Sequence, residues 1–446
     1  MTNGPVGLTG LFFLVSMGAG ETNSCREVKM RNPLKPALFG LGLLVLIITG
    51  TPAVQEPGLS TVSPYAVTAY GSSVLQYRYV QGTYGNTWRS ELMGDVSYYR
   101  CQGSGDLDND GEIEIYSVIT YLTRTEKIDK KTTRSYYKLK LLVYEPGVPV
   151  GGPPSWSVDD LEGGETTVRA VDCIAADVDD VPGTELVILH GSHVDVLDLT
   201  GGGLLIKGRS RAFGVTIFTV DAGDADNDGR NEIVLSAFTT GAPYILKFNG
   251  ADGTFAEKLA EPVPPEYYGK RLSFLGLDYA RIRDADNLTD ITRDNVGGLR
   301  GNEIVGGGNN NRLMVWKHDP LTGDYRLEFI SADLGYFTQG VDAGDINGDG
   351  ENEIVIGNCT TVRVYPYLWV FAYDQAHATY ALVSKTRIES GRLASLEIGN
   401  MDADAAAEVV VAADGFRVFD FTGADLSTGS LIQTYVNAAG GPSEIH

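Results

Sequence analysis

A chain of 446 residues with 43% hydrophobic side chains has apolar material for one large repeat domain or for two to three ordinary ones. Its formal charge of −23 sets it against nucleic-acid phosphates and anionic lipid headgroups and leaves divalent cations as the natural charge partners. The 55 Gly and 23 Tyr suit many short strands joined by tight turns, and beyond residue 60 no stretch shows 3.6-residue apolar spacing, so the expected class is all-β.

Residues 1–53 read as a leader. Lys29, Arg31 and Lys35 form a basic region, Ala37 to Ile48 an apolar one, and Thr51-Pro52-Ala53 offers small residues for cleavage. The apolar run falls short of the roughly 20 residues that span a bilayer. A cleaved export signal is therefore expected, with an uncleaved membrane anchor as the alternative. Either places the protein outside the cytoplasm, secreted or at the cell surface. Leu11 to Val15 is a second apolar run with no basic residues before it, which makes Met30 a candidate start. Residues 54–64 read as a linker to a domain over residues 65–440. Cys25 lies in the leader. Cys101, Cys173 and Cys359 show no zinc-type spacing, and leave open one disulfide with one free thiol or three separately buried thiols, the second being the simpler expectation.

Beyond the linker the chain repeats itself. GDLDNDGEIEIYSV (from Gly105), GDADNDGRNEIVLS (from Gly223) and GDINGDGENEIVIG (from Gly344) are full copies. ADVDDVPGTELVIL (from Ala176), RDADN with a delayed GNEIVGG (from Arg283) and GNMDADAAAEVVVA (from Gly399) are weaker ones. The loops start at Asp106, Asp177, Asp224, Asp284, Asp345 and Asn400, in steps of 71, 47, 60, 61 and 55 residues. A period near 60 in an all-strand chain points to propeller blades. Each period divides into four strands: an apolar strand before the loop (IFTVDA), a second after it (EIVLSAF), a third (YILKF), and a more polar fourth (YRLEFIS). The long first step is absorbed by a hairpin with a solvated, charged tip, Thr125 to Arg134. Six blades of four antiparallel strands over about residues 95–436 are expected. SVLQYRYVQ and TWRSEL then either complete the last blade or found an incomplete seventh.

The repeated loop carries the chemistry. A large hard cation takes six to seven oxygens at about 2.3 to 2.6 Å. Carboxylates at positions 1, 3 and 5 of a tight loop converge on one point, a backbone carbonyl at position 7 adds an oxygen, Gly at position 6 takes the sharp turn, and Glu at position 9 closes the shell. The full sets are Asp106, Asp108, Asp110 and Glu114 with the Glu112 carbonyl; Asp224, Asp226, Asp228 and Glu232 with the Arg230 carbonyl; and Asp345, Asn347, Asp349 and Glu353 with the Glu351 carbonyl. Asp177, Asp179 and Glu185 lack the third carboxylate because Val181 stands at position 5. Asn400, Asp402, Asp404 and Glu408 keep the ligands but have Ala405 in place of Gly, and Asp284 and Asp286 are parted from Glu303 by an insertion. The spacing differs from an EF-hand, which needs Glu at position 12 between helices. Magnesium would keep more water, and zinc would want nitrogen or sulfur, so calcium is the expected ion, in three loops and in up to six.

These residues resemble the FG-GAP repeats of the integrin α-subunit propeller and of VCBS-type surface proteins. Phe213-Gly214 before one loop and Gly241-Ala242-Pro243 after it echo the family's name, the latter later than the pattern has it. The resemblance implies a propeller with calcium between the first and second strands of its blades, on one face. It also implies adhesion or recognition of glycans or proteins outside the cell, without naming the ligand.

The expected function is therefore binding, with no nucleic-acid partner and a membrane contact only through an N-terminal anchor. Tyr267, Tyr268 and the run Tyr365 to Trp369 are aromatic candidates, for which blade packing is the simpler reading. A calcium-dependent polysaccharide lyase is the catalytic alternative and a structural cell-envelope component the architectural one. Neither Gly-x-Ser-x-Gly, His-Glu-x-x-His nor a phosphate loop occurs, and His190 and His193 (HGSH) are expected to decorate a hairpin. DLSTGS (from Asp425) departs from a metal-dependent adhesion motif at Gly429, and Asn287 and Asn358 lie in glycosylation sequons.

Overall fold

The computed structural model describes most of residues 65–435; outside it are residues 1–64 and 436–446, the segments 268–279 and 283–301, and shorter stretches, chiefly 92–97, 359–365, 389–392, 402–405, 413–415, 422–425 and 427–429. The leader, the linker, Tyr268, Asp284, Asp286, Asn287, Cys359, Tyr365, Asp402, Asp404 and Ala405 thus lie outside the described residues.

The described residues form seven antiparallel sheets, each a meander with its strands in chain order. Sheet 1 spans residues 65–89 in three strands. Sheets 2 to 7 have four strands each, over residues 98–158, 170–209, 217–259, 280–330, 338–387 and 395–435. The first strands sit side by side around a hub: Tyr98–Gly105 beside Ala170–Ala176, then Ile217–Gly223, Ala280–Ile282, Thr338–Gly344 and Ser395–Gly399. Tyr65–Tyr70 joins this series next to Tyr98–Gly105, and the last strand of sheet 7, Ser430–Tyr435, meets Thr83–Arg89 of sheet 1. The fold is a β-propeller. The six repeat units are its four-stranded blades, and the N-terminal strands take the second of their two expected places, as an incomplete seventh. Sheet 7 is completed by its own four consecutive strands.

The core lies between sheets. In the second strand of sheet 3, Leu186 and Ile188 pack toward sheet 2 while Val187 and Leu189 pack toward sheet 4. Ile354 and Ile356 face sheet 5, and Val355 faces sheet 7. Successive side chains point to opposite faces of a strand, and here both faces are covered, which is why these strands read as unbroken apolar runs. The gap between sheets 1 and 2 is filled by Trp88 and Tyr144, edge to face with ring centroids 5.2 Å apart, and the Trp88 indole N–H donates to the Val148 carbonyl at 2.9 Å.

Two features bind the hub. Cys101 and Cys173, on adjacent first strands, form a disulfide with Cα atoms 5.3 Å apart, so the expectation of separate thiols is corrected. Its cause is the blade arrangement, which sets two innermost strands side by side. Buried aspartates also recur in the first strands, as Asp172, Asp221 and Asp342. Asp342 accepts the Ile398 N–H of the next blade at 2.6 Å and its neighbour Ala343 N–H at 2.7 Å. Asp172 accepts the Val220 N–H of sheet 4 at 3.1 Å. Asp342→Ala takes away the acceptor of the buried Ala343 N–H and of the part-buried Ile398 N–H, at about 1–3 kcal/mol for a donor left without a partner. We expect a clear fall in the urea midpoint for Asp342→Ala and a smaller one for Asp342→Asn, which keeps one acceptor; equal midpoints for all three proteins would refute this role.

Loop lengths differ between the two ends of the blades. Between first and second strands the connection is eight residues in sheets 2, 3, 4, 6 and 7 (106–113, 177–184, 224–231, 345–352, 400–407). Between second and third strands it ranges from two residues (191–192) to eight (359–366).

Candidate metal loops

The loops of sheets 2, 4 and 6 share one backbone. In sheet 2, the Asp110 N–H donates to Asp106 Oδ1 at 3.0 Å and Asp108 Oδ1 at 3.2 Å, and the Gly111 N–H to Asp106 Oδ2 at 3.0 Å. Sheet 4 repeats this from Asp228 and Gly229 to Asp224 and Asp226. Sheet 6 repeats it from Asp349 and Gly350 to Asp345 and Asn347. Two positions are left-handed. Gly111, Gly229 and Gly350 hold φ of 90°, 91° and 88° at position 6, as expected, but position 4 is left-handed too, at Asn109 (62°), Asn227 (61°) and Gly348 (75°). Asn and Gly tolerate that region, so the residue types at position 4 carried the signal.

The closing glutamates are pulled under the loops. Glu114, Glu185, Glu232, Glu303, Glu353 and Glu408 are all buried. One oxygen of Glu114 accepts the Leu107 N–H at 2.7 Å, and in the same way the Val178 N–H donates to Glu185, Ala225 to Glu232, Ile346 to Glu353 and Met401 to Glu408. Glu114, Glu185 and Glu232 also each bring a carboxylate oxygen within 4.8 Å of the aspartates of their loops.

The loops differ in what they gather. In sheet 2, Asp106, Asp108, Asp110 and Glu114 bring ligand oxygens within 4.8 Å of one another. Glu114 Oε1 is buried with no hydrogen-bond partner, and the residue on its third-strand side is another acid, Glu145. Burial, opposed by the Leu107 hydrogen bond and reinforced by Glu145, Asp108 and Asp106, pushes the Glu114 carboxyl up to about 8. An all-oxygen set around an orphaned buried carboxylate oxygen fits a hard divalent cation. Asp177, Asp179 and Glu185 converge within the same radius in sheet 3, as do Asp224, Asp226 and Glu232 in sheet 4. Asp228 stands outside that group because its carboxylate turns to Lys247 Nζ. In sheet 6, Asn347 Nδ2 donates to Asp349 Oδ2 at 3.1 Å and Glu353 Oε1 at 3.2 Å, so an amide stands between the carboxylates. Burial and the charges of Asp349, Asp345 and Glu351 push Glu353 up to about 8, against the Ile346 hydrogen bond. Glu112, Arg230 and Glu351 occupy position 7, where the Glu112 and Glu351 N–H groups donate to Asp110 and Asp349 at 2.8 and 2.9 Å and the Arg230 N–H to Asp228 at 3.2 Å. In sheets 5 and 7 only Glu303, Asn400 and Glu408 of the expected ligands are described.

Three lysines were not anticipated. Lys207 Nζ lies 2.9 Å from Asp179 Oδ2, 2.7 Å from Glu185 Oε1 and 3.2 Å from Asp198 Oδ2. Lys247 Nζ pairs with Asp228 and lies 3.3 Å from both Asp226 Oδ2 and Glu232 Oε1. Lys317 Nζ lies 3.1 Å from Glu303 Oε1, its cross-strand partner.

Neighbouring loops are also tied together. Asn109 accepts the Thr184 N–H at 2.9 Å, Asn231 donates to the Asp177 carbonyl at 2.9 Å, Asn302 donates to the Asp224 carbonyl at 3.0 Å, and the Ala407 N–H reaches the Asp345 carbonyl at 2.8 Å.

At the other end of sheet 3, His190 and His193 face each other across a hairpin, as expected. His190 Nε2 is 2.8 Å from Asp195 Oδ2, and Arg209 holds both oxygens of that carboxylate. Of the aromatic candidates, Tyr267 packs against the core between sheets 4 and 5, with Arg312 over its ring at 5.3 Å. Trp369 packs against the core of sheets 5 and 6, with Lys385 Nζ 4.0 Å from its ring centroid. Blade packing describes both.

No family model matches the chain, and no curated protein does. Among solved structures, the Dos1 propeller is similar at 13% identity and a TM-score of 0.44, over 68% of this chain and 70% of that one.

Proposed function

We propose that the chain is an exported, calcium-binding propeller of the FG-GAP and VCBS kind that recognises a glycan or protein ligand outside the cytoplasm. The observation that carries this reading is the sheet 2 loop, where three aspartates and an orphaned, buried glutamate oxygen converge with no cationic side chain paired to them among the described residues. Calcium there would neutralise carboxylates that otherwise repel and would fix the loop as part of the fold. The buried disulfide supports export, since such bonds persist in oxidising compartments. A propeller serves as an interaction scaffold, and with one end committed to metal loops the variable turns at the other end and the rim are the surfaces left for a partner.

The test is binding of the purified chain to a glycan array and to host-surface proteins, in calcium and in chelator. Calcium-dependent retention on one ligand class is the expected result. Release of unsaturated products from an acidic polysaccharide, with no retention, would overturn it in favour of lyase chemistry.

A further inference from the structure

The blades divide by what stands beside the closing glutamate. In sheet 2 it faces Glu145, and among the described residues no lysine or arginine pairs with the loop. In sheet 6, strand register places Ala372 opposite Glu353, one step beyond the Ile354–Phe371 pair. Sheet 4 has Lys247 in that place, one step beyond the Ile233–Leu246 pair. Sheet 3 has an acid there, Asp198, one step beyond the Leu186–Leu197 pair, but Lys207 crosses from the fourth strand, Leu205–Arg209, to reach all three carboxylates. Two lysines from two different strands therefore deliver an ammonium to the same point.

We propose that Lys207 and Lys247 are built-in cations that close their loops to calcium, leaving it, among the fully described acidic loops, to those of sheets 2 and 6; this rests on the calcium reading given above for those loops. In sheet 3 the ammonium does work that a metal ion does elsewhere. The side chain is only 15% exposed, and it meets Asp179 and Glu185, themselves 1% and 3% exposed. Its ammonium lies 2.9 Å from Asp179 Oδ2 and 2.7 Å from Glu185 Oε1, which holds the charge in place. With Val181 at position 5, the loop has lost the carboxylate that a second positive charge would need, so a single charge suits it. In sheet 4 the acidic set is complete, and Lys247 still draws Asp228 out of the converged group. Calcium entering there must first expel an ammonium from three carboxylates. Sequence alone ranks this loop among the best sites; the cross-strand lysine makes it a poor one.

Calcium counting on the full chain by native mass spectrometry and calorimetry tests this with Lys247→Met, Lys207→Met and Asp110→Asn. Lys247→Met is expected to take up one calcium more than the unaltered chain, or to bind at that loop at least about tenfold more tightly. Lys207→Met is expected to gain none, since its loop lacks the third carboxylate. In chelator both variants should melt below the unaltered chain, and calcium should restore only Lys247→Met. An unchanged count together with unchanged melting in chelator overturns the proposal. A chain that binds no calcium, with Asp110→Asn identical to it, sinks the calcium reading instead, and the lysines are then judged by the melts in chelator. Amine acylation of the unaltered chain needs no variant to fold: Lys207 should react far more slowly than exposed Lys258, and equal rates count against the proposal.

Discussion

Millimolar calcium is expected to raise the unfolding midpoint of the chain by several degrees over chelator, and magnesium at the same concentration is not. A ligand that binds only the folded state stabilises it by about 2.7 kcal/mol per site at a hundredfold excess over its dissociation constant. Two such loops would add roughly twice that. Asp110→Asn and Glu114→Gln should each remove about half of the calcium response while leaving the chelated midpoint near or above that of the unaltered chain, because Asp110→Asn removes a carboxylate from the acidic cluster and Glu114→Gln imitates the protonated carboxyl that burial favours there. A midpoint indifferent to calcium would reduce the loops to turns.

The same carboxylates set a pH dependence in chelator. Burial raises Glu114 and Glu353 from the ordinary carboxylate range to about 8. A folded-state pKa above the unfolded one means that the folded chain binds the proton more tightly. Their contribution to stability is therefore present below about pH 4.5 and is lost as the pH rises toward 8. The chelated chain should melt higher at pH 5.5 than at 8.5, and Glu114→Gln should flatten that slope. Because calcium binding must displace these protons, its affinity should rise over the same interval. A chelated midpoint that climbs with pH would contradict the assignment.

Cys101→Ser is expected to cost about 4 kcal/mol. The bond closes a loop across a separation of 72 residues, and releasing it restores that freedom to the unfolded chain. Cys101 and Cys173 are 0% and 2% exposed, so a reductant reaches the bond only when the blades open. The unaltered chain should resist mild reductant while folded and lose the full increment once it has been unfolded and refolded under reduction. Identical urea midpoints for Cys101→Ser and the unaltered chain would show that the bond contributes nothing.

Much of this molecule was legible because its signals are local. The Asp-x-Asp-x-Asp-Gly spacing, the apolar run beginning at each closing Glu and the Asn or Gly at position 4 all lie within a dozen residues, and the structure places them as one strand–loop–strand unit. What escaped was set by register between distant strands. Lys247 looks like an ordinary charge in YILKF until the pairing of Ile233 with Leu246 puts it beside Glu232. The Cys101–Cys173 bond follows from blade order, which spacing does not state. Asp172, Asp221 and Asp342 interrupt apolar strands as polar residues do at an edge, yet they sit in the hub because they bind backbone there. Sheet 1 carries no acidic loop, so the repeat that counted the other six blades passed over it.

The ties between neighbouring loops bear on how such a protein can change. A loop stitched to the next one cannot change length between its ties without pulling Asn109 from Thr184 or Ala407 from Asp345, and the connections of sheets 2, 3, 4, 6 and 7 all keep eight residues; the longer connection of sheet 5 (283–302) keeps its tie at Asn302, beside the second strand. The second-to-third-strand connections vary from two to eight residues. Length there is free to drift. New specificity can therefore be tried turn by turn on one side of the disc, while the other side keeps the blades in step.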